Sequence, residues 1–347
     1  MYFATIDCGT TNSRVYVLDE HLRVVAKGSK KVGVRDTAIT GSKQVLQQGL
    51  TEVFERTVRD AGLRIPNLAC AVTSGMITSE IGLREIPHLW APAGVEELAA
   101  HVEAVRDPAV FPPDVEVVFI RGIKNPYPPE ATYRDIRRID FMRGEETQVI
   151  GLLTLPLAPP PPLTAVVLSS HTKYIPIRAD GRIAGSITTL SGQLFEAIQQ
   201  GTSIGKSVEA PEPQDGDDLE LDVVDTAYDA VTEAGFLRTL LMPRFLEVLL
   251  HVPGPARRLF LEAAIAAEDL RALRDLSLIA GPTDTPFVLV GHASRCRIFR
   301  HLLMRHCGAA REIRTITDPE DIDRLSIAGA VTIARRAGYL RGVNNAR

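Results

Sequence analysis

Residues 5–20, "TIDCGTTNSRVYVLDE", interrupt two apolar runs with an acid, a cysteine, a glycine, two threonines, an asparagine, a serine and an arginine. The runs on either side read as strands over 2–7 and 14–19. "DEH" turns the chain into a third run, 22–28, so the chain opens as an antiparallel meander. A hairpin needs only two or three turn residues, and Asp7 to Arg14 carries more hydroxyl and charge than that. Gly9 lets backbone approach a ligand closely. Successive N–H groups, with the hydroxyls of Thr10, Thr11 and Ser13, suit phosphate oxygens. Asp7, at the end of the first strand, can hold a hydrated Mg²⁺, and Arg14 can neutralise charge on a phosphoryl group. The stretch has neither the GK[ST] of a Walker A loop nor a GxGxxG turn. A polar hairpin with a capping aspartate would use the same residues, so the rest of the chain has to decide.

A helical pattern covers 42–61, with Val45, Leu46, Leu50, Val53, Phe54 and Val58 as its apolar stripe. "NLACAVTSG" (67–75) reads as a buried strand ending in a glycine turn, "VEELAAHVEAV" (95–105) as a helix, and "VEVVFIRG" (115–122) as another buried strand. A loop rich in Pro, Tyr and Arg spans 123–139, and a helix, "DFMRGEETQVIGLL", is expected from Asp140. The proline run "LPLAPPPPL" (155–163) stops it and reads as a linker. Then the opening layout returns. "TAVVLSSHTKYIPIRADGRIAGSITT" is again strand, hydroxyl-rich turn, strand, "ADG" turn and strand, followed by a helix over 191–200 with Ser191 as its cap. Residues 208–220 read as an acidic surface loop, 222–276 as mostly helical, 287–293 as a strand, 294–305 as its helix, and 319–338 as a last helix. Two halves share a layout without sharing sequence, as an old duplication would leave it. The expected fold class is α/β with two related domains, 1–157 and 163–347.

The 347 residues exceed one simple core. A composition 45% hydrophobic and 24% charged is that of a soluble globular protein, and a net charge of −4 without a basic cluster argues against nucleic acid or an anionic membrane as partner. Four scattered cysteines without metal spacing read as reduced thiols. With no apolar window long enough for a bilayer and no leader pattern at the start, a cytoplasmic location is expected.

The second hydroxyl loop, "LSSHTKY" (168–174), adds His171 and Lys173, and two such loops facing one another would clasp a nucleotide's phosphate chain from both sides. "VLVGHASRCRIFRHLL" offers a strand, a glycine and a helix start against which a base or ribose can lie. "LSIAGAVTIA" (325–334) is a helix with small residues suited to close packing.

Together these stretches resemble the sugar-kinase/hsp70/actin ATPase superfamily: "DCGTTNSR" its first phosphate motif, "LSSHTKY" its second, "VLVGHAS" its adenosine motif and "SIAGAVTIA" its second connecting helix. Within it, "SGMITS…PHLWAPAG", "DFMRGEETQVIGLL", "SSHTKYI" and "LSGQLFEAI" resemble the 2-keto-3-deoxygalactonate kinases, whose "DVMRGEETQ" nearly matches Asp140–Gln148. The resemblance implies two ribonuclease H-like domains, as in the actin-like ATPase/sugar kinase fold, with a cleft between them. It implies ATP and Mg²⁺, and phosphorylation of the terminal hydroxyl of 2-keto-3-deoxygalactonate in galactonate catabolism. A kinase for another sugar acid or polyol, and a non-catalytic sugar- or nucleotide-sensing relative, stay open as alternatives. A homodimer is plausible for the class.

Carried residue by residue, the resemblance assigns the first domain (1–157) to the sugar acid and the first phosphate loop. The second domain (163–347) takes the second loop and adenosine, with the last helix near the hinge. Gly9, Thr10, Thr11, Asn12 and Arg14 of the first loop would hold phosphate with Ser170, His171, Thr172 and Lys173 of the second and with Gly291, and Asp7 would hold the metal. Asp140 is the candidate base, as an aspartate at a helix start in the cleft, with Glu145 and Glu146 as rivals. Ser74, Gly75 and Met76 would contact the sugar, as would Glu145. Arg143 has the bidentate fork that suits a substrate carboxylate. Three positions depart from the family pattern: Ser169 stands where a glycine is expected, Arg121 where proline is common, and Gln193 where glutamate is more usual. Should that glycine hold positive φ, a Cβ at Ser169 would cost about 1 kcal/mol or more and could block the nucleotide.

Overall fold

The structure, a computed structural model, describes residues 1–210, 219–280, 285–307 and 312–340. The opening meander forms as expected. β1 (Tyr2–Cys8), β2 (Ser13–Asp19) and β3 (Val24–Lys30) pair antiparallel, with Asp7 opposite Arg14 and Cys8 opposite Ser13. β1 and β2 are buried along nearly their whole length because both faces of the sheet are covered, whereas β3 is an edge strand with a largely exposed pattern. A short helix, α1 (Val34–Thr40), precedes α2 (Gln44–Asp60). Leu46, Leu50, Val53, Phe54 and Val58 of α2 form the apolar stripe that packs on the sheet. β4 (Leu68–Gly75) then returns parallel to β1, and β5 (Leu89–Trp90) follows.

Two expectations fail in the next stretch. The helix expected over 95–105 is only α3 (Val95–Ala100). It gives way to β6 (Glu103–Val105), which pairs antiparallel to β7 (Val117–Phe119). The spacing is helical, but the end of the run meets a sheet edge, and pairing there overrides local periodicity. Asp140 does not begin a helix either. It leads into β9 (Phe141–Met142), which pairs with β8 (Ile123–Lys124) in a small sheet of order β5-β8-β9. The helix α4 (Glu145–Thr154) starts five residues later. Gly144, with φ +112°, is the reason: that backbone region is closed to the helix and breaks the pattern before Glu145.

Beyond the proline run, β10 (Leu163–Leu168), β11 (Thr172–Ile177) and β12 (Ile187–Thr189) repeat the meander, followed by α5 (Ser191–Gly201). Ser191 is the first residue of α5, not its cap; its hydroxyl bonds Asp269 and Thr189. Then come α6 (Leu221–Ala234), α7 (Phe236–Thr239), α8 (Met242–Val248), α9 (Gly254–Asp269) and α10 (Ala272–Ala280). β13 (Phe287–Gly291), α11 (Ala293–His306), β14 (Ile313–Ile316) and α12 (Pro319–Arg336) complete the chain. Of the acidic loop expected over 208–220, residues 211–218 lie outside the described residues. β14 escaped the sequence reading because it is a short, half-exposed edge strand.

The sheet orders are β3-β2-β1-β4-β7-β6 and β12-β11-β10-β13-β14. Each half therefore has a three-stranded antiparallel meander followed by two parallel strands, and the duplication read from the sequence is real at the level of topology. One apolar cluster joins the facing sides of the two sheets through α4 and α12. Outer clusters back the first sheet with α2 and the second with α6, α9 and α11. All four cysteines are free thiols, and no helix among the described residues is long and apolar enough to cross a membrane.

α12 begins with Pro319 after Asp318, whose carboxylate accepts from the Glu320 amide at 2.7 Å. Its small-residue stretch has the task the spacing predicts. At Gly329, a Cβ would stand 1.8 Å from the Thr147 carbonyl of α4, so the two helices touch through backbone. Gly329→Ala forces them apart, and a loss of about 1–3 kcal/mol is expected, read as a lower denaturant midpoint. An unchanged midpoint would mean the contact relaxes freely.

Candidate active site

The two hydroxyl-rich turns are built alike. In the first, the Gly9 amide donates to Asn12 O at 2.9 Å, and α1 folds beneath it: the Val34 and Arg35 amides donate to Gly9 O and Thr10 O at 3.3 and 2.9 Å. Gly33 approaches so closely that a Cβ would lie 2.4 Å from Thr10 O. The turn's carbonyls thus face the helix, while the N–H groups of Thr10, Thr11 and Asn12 make no hydrogen bond among the described residues. Ser13, expected to face phosphate, is instead buried, and its hydroxyl donates to Val32 O at 2.8 Å. In the second turn the Gln193 amide of α5 donates to Ser170 O at 2.8 Å, and a Cβ on Gly192 would lie 2.3 Å from Ser169 O. Helix start, close glycine and captured carbonyl recur in both halves. Among the described residues only Leu22 and His251 are non-glycines with positive φ. Ser169 therefore sits in ordinary backbone, and the strain feared there does not arise. Arg295 of α11 holds this turn through Ser169 O and Thr172 Oγ1, and Ser170 Oγ lies 3.2 Å from His171 Nδ1. Gly291 ends β13 opposite Leu168, the last residue before the turn.

Between the turns lie the acids. Asp7 lies one residue before the end of β1, beside Ser74 of β4, with 28% of its side chain exposed, and Arg14 Nη1 is 3.5 Å from its Oδ2. Burial raises the Asp7 carboxyl above its ordinary range; Arg14 opposes this and Asp323 of α12 adds to it. Gly75, φ +90°, presses against Asp7 from β4, where a Cβ would lie 2.5 Å from Cys8 O. Gly144 packs on the Cα of Gly75, so the "SGM" turn and the "RGEE" loop meet back to back. Met76 opens the short 3-10 turn that follows.

The three rival acids separate clearly. Both carboxylate oxygens of Glu146, which is fully buried, accept from the Gly144 amide at 2.8 Å, and burial beside Glu145 pushes it up to about 8. Asp140 is saturated: Oδ1 accepts from Phe141 N, Thr188 Oγ1 and Ser186 Oγ at 2.6, 2.8 and 3.3 Å, and Oδ2 from Thr188 N at 2.6 Å. It ties the first half to β12 of the second. Glu145 is the one at a helix start. Its Oε2 is buried without a partner, and burial raises its carboxyl, with Lys173 opposing and Asp7 adding. Lys173 Nζ reaches across from β11 to Phe141 O and Thr188 Oγ1 at 3.0 and 2.9 Å. Asp7 of β1, Glu145 of α4, Lys173 of β11 and Asp140, just before β9, are therefore brought together. Arg143 is turned away into the 76–88 loop, bonding Thr78 Oγ1, Ile86 O and His88 Nδ1 at 2.6, 2.9 and 3.3 Å. Sequence reading missed Asp323 and Arg295, since no local pattern marks either one and only contacts between distant elements bring them to the site.

Beside the second turn lies a cavity of about 350 Å³. Ile265, Ala266, Ile298 and Phe299 give it apolar walls, and Ser170, His292 and Arg295 lie where it meets the turn. Its size and apolar lining suit a nucleoside.

Twin meander-plus-parallel sheets, each presenting a turn toward a shared acid centre and one flanked by a nucleoside-sized cavity, define the class as a mixed α/β fold of two similarly built halves. The model of the 2-keto-3-deoxy-galactonokinase family matches residues 7–329. The chain belongs to that family. It is 30% identical over 207 residues to a Rhizobium meliloti protein described as "Probable 2-dehydro-3-deoxygalactonokinase", an alignment covering 60% of this chain and 59% of that one. A solved structure described as a 2-dehydro-3-deoxygalactonokinase protein from Sinorhizobium meliloti superposes with a TM-score of 0.73 at 22% identity. The match covers 96% of both chains and bears out the fold.

Proposed function

We propose that the protein transfers the γ-phosphoryl group of ATP to the terminal hydroxyl of 2-keto-3-deoxygalactonate. The observation that carries this reading is Glu145 Oε2, a buried carboxylate oxygen without a hydrogen-bond partner at the start of α4, with Asp7 and Lys173 close enough to act on its charge. Glu145, with a raised affinity for protons, accepts the hydroxyl proton as the sugar oxygen bonds to phosphorus and the bond to ADP breaks. The free N–H groups of residues 10–12 and the second turn, with Lys173, support phosphate binding from both sides, and the cavity beside Gly291 supports adenosine. Among the described residues no group of three or more His, Cys, Asp or Glu side chains forms a metal cage. Asp7 with phosphate oxygens and water is the donor set Mg²⁺ commonly takes, and the ion would supply charge neutralisation on the phosphates. Asp140 in this reading is a positioning residue that holds β12 against the first half.

The reading keeps two domains, 1–157 for the sugar acid with Ser74, Gly75 and Met76 near it, and 163–347 for ATP, hinged at the linker near 155–163 and the last helix. It also keeps a cytoplasmic enzyme of galactonate catabolism and a homodimer; the exposed Leu237, Leu249 and Leu250 are compatible with the last. A coupled ADP-release assay tests it. Turnover with 2-keto-3-deoxygalactonate and none without acceptor is expected. ATP binding without turnover of that acid or its gluconate epimer would favour another acceptor or a sensor.

A further inference from the structure

A second charged cluster flanks the acid centre on the sheet β5-β8-β9. Trp90, Lys124 and Phe141 hold facing register positions on its three strands, and Trp90 and Phe141 are 49% and 54% exposed. Lys124 Nζ lies 3.8 Å from the Trp90 ring centroid and 5.6 Å from that of Tyr127, and the two rings pack edge-on at 4.8 Å. No carboxylate or other hydrogen-bond acceptor engages this ammonium among the described residues. His88 tilts against Phe141 at 5.1 Å. Its Nδ1 accepts from Arg143, which leaves the proton on Nε2, a buried donor with no partner. Burial, with Arg143, Lys124 and Lys173 nearby, holds His88 down at about 4, so the imidazole is neutral. Lys173, bonded to Phe141 O, links this platform to Glu145.

We infer that Lys124, on its Trp90–Tyr127 platform beside His88, binds the carboxylate of the anionic substrate and so orients it. The inference rests on the kinase reading. Arg143 has the better fork for a carboxylate, but both of its terminal nitrogens already bond other groups, Thr78, Ile86 and His88. The charge of Lys124 has only ring faces to answer it among the described residues, and an aromatic platform holds an ammonium in place without neutralising it. The cations at the acid end, Arg14 and Lys173, already face Asp7 and Glu145, so Lys124 draws the carboxylate to the other end and leaves the far hydroxyl toward Glu145.

The test compares the wild type, Lys124→Met and Lys124→Arg on 2-keto-3-deoxygalactonate and on its neutral methyl ester. Lys124→Met should raise KM for the acid by about 10–100-fold, the loss of one charged hydrogen bond, with KM for ATP unchanged and the ester unaffected. Lys124→Arg should restore most of the loss. An unchanged KM for the acid in an active Lys124→Met enzyme, or equal losses for acid and ester, overturns the inference alone. A wild type that turns over neither compound overturns the kinase reading, and this inference with it.

Discussion

Glu145→Gln is expected to lower kcat by about 10²–10⁴-fold while ATP still binds, the range general-base removal usually gives. The glutamine keeps the shape at the start of α4 and removes only the capacity to take a proton. Burial makes this carboxyl a stronger base than a surface glutamate, and Lys173 keeps the ionised form accessible. The contrasting variant is Asp140→Asn. Its carboxylate already accepts from four donors, two of them the amide and hydroxyl of Thr188, and an amide group cannot satisfy them all. Asp140→Asn should therefore reduce stability and loosen β12, with a smaller change in kcat than Glu145→Gln under conditions where it is folded. Single-turnover kinetics with ATP and the sugar acid check both. Should Asp140→Asn abolish the chemical step while Glu145→Gln leaves it intact, the roles are reversed, and the aspartate first suggested by the motif is the base.

Stability should depend on pH through the neighbouring residue. Glu146 is fully buried and pushed up to about 8 from 4.5. Below about pH 4.5 it is protonated in both the folded and the unfolded chain, and the shifted group leaves full stability. As pH rises from 4.5 to 8 the unfolded chain releases the proton while the folded chain retains it, so stability is progressively lost, on the order of a few kcal/mol across the window. Arg143 and Glu145 face the group, and the Gly144 amide bonds both its oxygens. Glu146→Gln keeps an acceptor for that amide and removes the titration. Denaturant melts at pH 5 and pH 8 should show the variant gaining on the wild type at the higher pH. Parallel pH profiles for the two proteins would rule the buried titration out.

The amino-acid sequence by itself determined the elements whose cause is local: the opening meander, its return after the prolines, the stripe on α2 and the small residues on α12. Period-2 and period-3.6 patterns with glycine and proline punctuation are properties of neighbouring residues, and neighbours are what a sequence displays. The "DCGTT" and "RGEETQ" stretches stood out in the sequence for the same reason. What the tertiary structure alone decided is which side chain in each loop is free. Asp140 and Glu145 differ little as sequence, yet one takes two of its four donors from Thr188, 48 residues away, and the other keeps one buried oxygen without a partner. Ser13 and Arg143 were drawn to distant backbone carbonyls, and Asp323 arrived from the last helix. The helix expected at 95–105 yielded to a strand because a sheet edge was waiting. Lys124 lay in a stretch without periodicity, and only the pairing of β5, β8 and β9 set it over Trp90. Hydrogen-bond occupancy and burial depend on contacts far apart in the chain, so no local pattern can encode them.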